Sequence, residues 1–440
     1  MGNLKIALVG GGSYSWTPGV TAGILNCAYL EGSQVILYDL DPEALGLTAD
    51  LVQRYRGLTG SRTSLVQTTR REEALDGADY VVVTISTGGL QAMQVDLEVP
   101  ERYGIFQTVA DTVGPGGLSR ALRNVPVFLD LARAMEQYCP QAWMLNCSNP
   151  LSALTRVVGK ETAIRVVGLC HGVRSQVRAF AHACGFALED CAYTNTGIDH
   201  CAWLTQLVIA GRPAVQRLEE KGLEQWLRLP PDQAREDPVF GTLYHSRCGL
   251  LLSRQLGALP GIGDRHLVEF LPGFLDSADR VAQWGLKRTS IAERQQSRLK
   301  ARTRIERQLS GEEELRLPEA SDDVAGWIAA LDGGPALQDN LNAANLGQVP
   351  QLPLGAVVET RGILDATGFR PLASPMPKEL EAIVRPHVLR QELSVEAALE
   401  GSFAKALAAL STDPLVRPEH ARPLLEDLLA GTRQWLPQFK

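Results

Sequence analysis

The sequence predicts an α/β fold, a Rossmann-type doubly wound parallel sheet followed by a second, mostly helical α+β domain. Three observations predict it. The chain opens on an apolar run, Lys5-Ile6-Ala7-Leu8-Val9, that passes straight into Gly10-Gly11-Gly12-Ser13. Further short apolar runs follow, separated by stretches of helical period. Each run ends on a polar or glycine-rich loop, so these loops share the rim where ligands sit in such sheets.

The elements follow in order. Lys5–Val9 is a buried strand, and Thr17-Pro18 supplies a cap and first-turn proline for the helix after the glycine turn. Val35-Ile36-Leu37-Tyr38 is a second strand ending in Asp39, placed to accept hydrogen bonds from a ribose 2′,3′-hydroxyl pair. Gly10, Gly12, Ser13 and Asp39 together read as a dinucleotide site, and a carboxylate at position 39 repels a 2′-phosphate, favouring NAD+ over NADP+. The third glycine of the usual fingerprint is absent, and a plain tight turn is the alternative. Ala78–Ile85 is a third buried strand with Thr84 near its carboxyl end, a candidate cofactor contact. Asn124 to Gln137 carries Val127, Phe128, Leu131 and Ala134 on one helical face. Ala142–Leu145 is a strand ending in Asn146-Cys147-Ser148-Asn149-Pro150, and Arg165–Leu169 is another, ending in Cys170-His171-Gly172.

Beyond about Asp190 the pattern changes. Leu218 to Trp226, Val281 to Leu309 and Glu379 to Leu410 read as helical. The chain therefore divides into a nucleotide-binding domain, 1–195, and a mostly helical domain, 196–440. Lys287 to Arg307 is rich in Arg, Lys and Gln and reads as a solvated helix face. Gly311-Glu312-Glu313-Glu314 reads as a mobile loop, and no internal repeat is present.

Composition bounds the function. With 440 residues, 45% hydrophobic, 21% charged and a net charge of −7, the chain can bury a large core and lacks the basic face that nucleic acid requires. No apolar run approaches the roughly 18 residues that span a bilayer. Met1-Gly2-Asn3-Leu4-Lys5 leads directly into a strand, leaving no room for a signal peptide. Eight scattered cysteines suit reduced thiols, so a cytoplasmic enzyme is expected.

Four polar constellations carry candidate chemistry. Cys170-His171 offers a thiolate and an imidazole at the active rim, both able to bind a transition metal, against a cysteine that merely packs. Gly197-Ile198-Asp199-His200 offers an imidazole with a neighbouring carboxylate to orient it, against a satisfied core histidine. Gly261-Ile262-Gly263-Asp264-Arg265-His266 places three ionisable groups after two glycines, against surface solvation. Gln107 to Gly117 has the density of polar and glycine residues that lets backbone approach a ligand, against a surface loop.

These pieces, in this order, resemble family 4 of the glycoside hydrolases, the NAD- and manganese-dependent glycosidases. The resemblance rests on the opening glycines, Gly114-Pro115-Gly116-Gly117 leading to Arg120-Ala121-Leu122-Arg123, and Asn146–Pro150. It extends to Cys170-His171-Gly172, Gly197–His200 and the late stretch from Asn342 to Glu359 with Asn345, Pro350, Pro353 and Val357-Val358-Glu359. It implies an architecture like that of lactate and malate dehydrogenases. The implied route has NAD+ take hydride from the sugar C3, a base remove the C2 proton, and the C1 oxygen leave with help from an acid. Water then adds and the hydride returns.

The resemblance further implies Cys170 and His200 as ligands of Mn2+ or another divalent metal, His171 as the acid and Asp264 as the C2 base. Asp111 lies by the metal and sugar hydroxyls, and Asn149 holds the sugar or the nicotinamide ribose. Phospho-sugar members carry an arginine where this chain has Met93, so an unphosphorylated substrate is expected, and the departures from the phospho-β-glucosidase pattern at His171 and Asp264 lean toward an α-linkage. Arg265 is placed to pair with a hexuronic carboxylate, so an α-glucoside, an α-galactoside and a hexuronide are all open. A homodimer or homotetramer is implied, with a carbohydrate as partner and neither nucleic acid nor membrane. The alternatives are a 6-phospho-glycosidase of the same family, an NAD-dependent 2-hydroxy acid or sugar dehydrogenase, and a redox-sensing NAD-binding module.

Overall fold

The computed structural model describes residues 4–318 and 323–439. Six parallel strands form one side of its large sheet: β1 (Lys5–Val9), β2 (Gln34–Tyr38), β3 (Ser64–Thr68), β4 (Tyr80–Val83), β5 (Trp143–Asn146) and β6 (Arg165–Gly168). Their spatial order is β3-β2-β1-β4-β5-β6, with a switch between β1 and β4 that opens a crevice at the carboxyl ends. Val, Ile and Leu fill β1, β2 and β4, as strands covered on both faces require.

A second, antiparallel sheet follows, built from β7 (Cys191–Ile198), β8 (Cys201–Ile209), β9 (Arg212–Pro213) and β10 (Leu259–Pro260). The chain later returns to the first sheet. There β11 (Leu337–Ala344), β12 (Val357–Asp365) and β13 (Gly368–Pro371) extend it antiparallel beyond β6, through the single pairing of Asn342 with Gly168. The hairpin β11–β12 also ties the two sheets together: Asn195 Nδ2 of β7 donates to the Glu359 carbonyl at 3.0 Å, and Arg361 Nη1 donates to the Tyr193 carbonyl at 3.0 Å.

The rest of the second half is helical and mixed, as predicted, but its long helical stretches are divided. Leu218–Trp226 falls in Ala214–Glu220 and Leu223–Leu227; Val281–Leu309 falls in Ala278–Gln283 and Ile291–Ser310; Glu379–Leu410 falls in Lys378–Glu400 and Phe403–Ser411. Each interruption contains a glycine of positive φ: Gly222, Gly285 and Gly401. The helix read from Asn124 begins ten residues earlier, spanning Gly114–Tyr138, so Gly114-Pro115-Gly116-Gly117 is its first turn.

The C-terminal helices pack back on the nucleotide fold. Leu424, Leu425 and Leu428 share one buried cluster with Val81, Val83 and Phe128. Tyr103 donates to Asp427 at 2.8 Å, and Gln438 Nε2 donates to the Leu122 carbonyl at 2.8 Å. Among the described residues no helix is long and apolar enough to cross a membrane.

Candidate active site

The glycine turn after β1 is shaped by close approach. Gly10 has φ +98°, and a Cβ on it would stand 2.7 Å from the Thr84 carbonyl; one on Gly12 would stand 2.9 Å from Asp39 Oδ2. Asp39 Oδ2 accepts from Gly12 N at 2.9 Å, which fixes the carboxylate at the crevice mouth. Gly10, Gly12, Ser13, Asp39 and Thr84 line one cavity of about 710 Å3. Arg294 and Arg298, from the helix Ile291–Ser310, and Trp435, near the C-terminus, complete its walls. The arginine-rich helix is thus only partly a solvated face: Arg298 reaches Asp41 at 3.8 Å and Arg302 reaches Glu43 at 2.6 Å, both on the nucleotide fold.

Next to this crevice the polar constellations converge. β7 and β8 are joined by a two-residue turn, Asp199-His200, that holds His200 in the left-handed region at φ 61°. This costs a non-glycine residue on the order of 1–3 kcal/mol, and the hairpin's pairing holds it there. Asp199 is fully buried and His200 nearly so. Cys170 follows β6 at the start of the helix Gly172–Cys184, and its sulfur accepts from Gly172 N at 3.4 Å. One ligand atom each from Cys170, Asp199 and His200 lies within 4.8 Å of the others; the same holds for Asp111, His200 and His266.

Asp111 is presented by a loop whose Ala110 also has positive φ, 61°. The buried Glu269 carboxylate holds this loop, accepting from Val109 N at 2.7 Å, Ala110 N at 2.9 Å and the Thr108 hydroxyl at 3.0 Å. Asn149 Nδ2 donates to Asp111 Oδ2 at 3.1 Å, and Arg120 Nε donates to the Asn149 carbonyl at 2.9 Å. A relay then sets the His200 tautomer. The Thr112 hydroxyl donates its proton to Asp111 Oδ1 at 2.7 Å, so it accepts from His200 Nδ1–H at 2.7 Å. The Nε2 lone pair of His200 is left as its donor to a ligand.

The electrostatics point to a cation. Burial pushes the Cys170 thiol well above its usual range, with Asp199 and Glu359 adding to the effect. Burial raises Asp199 to about 8, with the Asp111 charge adding to it, and burial and Asp199 raise Glu359. Burial and His266 depress His200 to about 3. A thiol and two carboxylates cannot all ionise in this enclosure unless a positive ion compensates them. Apart from the Cys170 thiol, neither oxygen of Asp199 has a hydrogen-bond partner among the described residues. A soft sulfur, an imidazole nitrogen and a hard oxygen suit a borderline divalent transition metal. Asp111 behaves differently: burial opposes its charge, but His266, His200 and Arg120 hold it below the usual carboxylate range.

Of the predicted residues, the structure brings together Cys170, His200, Asp111 and Asn149. His171 is exposed, and its charge is felt by Asp199, His200 and His266. Arg265 is anchored through Nη2 to the Thr289 hydroxyl at 2.5 Å. Asp264 stands apart. Its carboxylate accepts from Cys248 N at 2.8 Å and Gly249 N at 2.9 Å, at the start of the helix Arg247–Leu256. His266, two residues on, enters the cluster instead: its ring stacks on His200 with centroids 3.8 Å apart, and its Nδ1 lies 3.7 Å from Asp111 Oδ1. Asp199 was read from sequence as the carboxylate that orients His200, and His266 stood in its motif without an assigned role. Glu359 stood in a quoted stretch without a role, and Glu269 carried no local signal for its own. Met93 is buried in an apolar cluster with Leu97 and Ala110, against which Ile291 packs.

Comparisons with known proteins identify relatives of the chain. Residues 5–185 match the model of the family 4 glycosyl hydrolases, and residues 195–416 match that family's C-terminal domain. An alpha-galacturonidase of Bacillus subtilis is 34% identical over 444 residues, covering 97% of each chain. The crystal structure of a putative glucosidase from Bacillus subtilis superposes with a TM-score of 0.87 at 31% identity, over 97% of this chain and 100% of that one. A 6-phospho-alpha-glucosidase from gut microorganisms, solved in complex with NAD and Mn2+, shares the fold at 21% identity with a TM-score of 0.84 and full coverage of both chains.

Proposed function

The chain belongs to family 4 of the glycosyl hydrolases, and from that premise we propose that it cleaves an unphosphorylated α-galacturonide, with NAD+ and a divalent metal such as Mn2+ as cofactors. One observation carries the reading: the Cys170–Asp199–His200 donor set stands with Asp111 and His266, and its Cys170 follows β6 in the same sheet whose β1, β2 and β4 ends frame the glycine-lined cavity. The alpha-galacturonidase relative, and the NAD and Mn2+ held by a protein of the same fold, support it.

Bound here, NAD+ supplies reversible two-electron oxidation of the sugar ring and the metal supplies Lewis acidity beside its hydroxyls. The chain's own groups do the rest. Cys170 and His200 Nε2 hold the metal, and Asp199 completes the protein's donor set. Asp111, fixed by Asn149 and Thr112, accepts from sugar hydroxyls. His266 takes the role of C2 base in place of Asp264, because its Nδ1 lacks a hydrogen-bond partner among the described residues while the Asp264 carboxylate already receives two amides. His171, at the exposed edge, protonates the departing oxygen.

Arg265 attracts the uronic carboxylate, and the apolar setting of Met93 offers nothing to a phosphate dianion. The test compares release of 4-nitrophenol from the α-galacturonide, the α-galactoside and a 6-phospho-α-glucoside, with Mn2+ and reductant, with and without NAD+. The galacturonide is expected to react fastest and only with NAD+. Faster cleavage of the phosphorylated substrate would overturn the reading.

A further inference from the structure

Five arginines stand on the helix Ile291–Ser310. Four are matched to carboxylates: Arg298 to Asp41, Arg302 to Glu43, Arg304 to Glu313 and Arg307 to Glu312. Arg294 has no carboxylate within ion-pair distance among the described residues, and it lines the cavity beside Ser297. It sits one turn into the helix, whose first residue, Ile291, packs against the Met93–Leu97–Ala110 cluster. Thr289, just before that helix, holds Arg265 Nη2 at 2.5 Å, while Arg265 Nε is buried without a hydrogen-bond partner among the described residues. The Arg265 carbonyl accepts from the Thr108 hydroxyl, and Thr289 N donates to the Thr108 carbonyl at 2.7 Å. Arg265 and the first turn of the helix that carries Arg294 therefore border the loop that presents Asp111.

We propose that Arg265 and Arg294 form a two-armed clamp for the C6 carboxylate of the sugar, with Arg294 as the arm that sets specificity. The assignment rests on the galacturonide reading above. Arg294 lines the cavity that also contains the Gly10–Ser13 turn, which is built to hold the cofactor's diphosphate, so the NAD+ titration below separates the clamp from a cofactor contact. Burial, and after it the Arg294 charge, lowers the proton affinity of Arg265, and a bound carboxylate relieves that repulsion.

The test uses the full chain loaded with NAD+ and Mn2+. Wild type, Arg294→Gln and Arg294→Lys are assayed on 4-nitrophenyl α-galacturonide and α-galactoside, and NAD+ affinity is titrated separately. Arg294→Gln is expected to lower the galacturonide-to-galactoside ratio of kcat/KM about 30-fold, the scale of one charge-assisted hydrogen bond. NAD+ affinity should stay within about twofold, and Arg294→Lys should recover part of the ratio. An unchanged ratio, or a loss of NAD+ affinity that affects both substrates equally, overturns the clamp. A wild type with no preference for the galacturonide overturns the substrate reading itself, and the clamp with it.

Discussion

At the scale of the residue, the site depends on which way neighbouring side chains point. Asp264, Arg265 and His266 were legible as a reactive cluster, because three ionisable groups after two glycines are hard to explain by packing. Their individual roles were not legible. Successive residues on a helical turn are rotated by about 100°, so positions 264 and 266 face nearly opposite sides of the short helix Asp264–Leu267. One enters the cluster and the other receives the amides of Cys248 and Gly249. His266→Ala should therefore lower kcat by about 100-fold or more, the range of a general base, with little change in thermal stability. Asp264→Asn should do the reverse, costing roughly 1 kcal/mol as a weakened helix cap while keeping most activity. Parallel melting curves and steady-state rates check this, and a large kcat loss in Asp264→Asn at unchanged stability would contradict it.

At the scale of the element, strands and their ends were readable because buried parallel strands are short apolar runs. The parallel strands named from sequence lie in the observed sheet, and Cys170, His200, Asp111 and Asn149 all meet where strand ends and loops converge. Glu269 was out of reach, since its partners, the amides of Val109 and Ala110, lie some 160 positions away in sequence. Burial raises this carboxyl to about 7 even though it accepts those amides. A carboxyl whose folded pKa exceeds its ordinary 4.5 binds more protons folded than unfolded. Its contribution to stability is full below about pH 4.5 and is lost as pH rises through about 7. Glu269→Gln should therefore flatten the fall in melting temperature between pH 5 and pH 8, measured in matched buffers of constant ionic strength. An equal or steeper fall in the variant would contradict this.

At the scale of the whole molecule, the two halves are interlocked. The β11–β12 hairpin joins both sheets, and Trp435 closes the nucleotide cavity from the end of the chain. None of this was visible in the sequence, because periodicity reports a segment's local state and not the distant surface that covers it. Leu424 is fully buried against the nucleotide fold. Leu424→Ala should cost about 2–5 kcal/mol and move a single unfolding transition downward. A calorimetric trace in which only a separate C-terminal transition moves would contradict the shared core.

The central claim is that the chain breaks its glycosidic bond by briefly oxidising the sugar at a site built from Cys170, His200 and their neighbours. Hydrolysis of an α-galacturonide in heavy water, by protein loaded with NAD+ and Mn2+, tests it most directly. The account predicts deuterium at C2 of the released galacturonic acid and no net accumulation of NADH. Turnover that leaves C2 free of deuterium would contradict it.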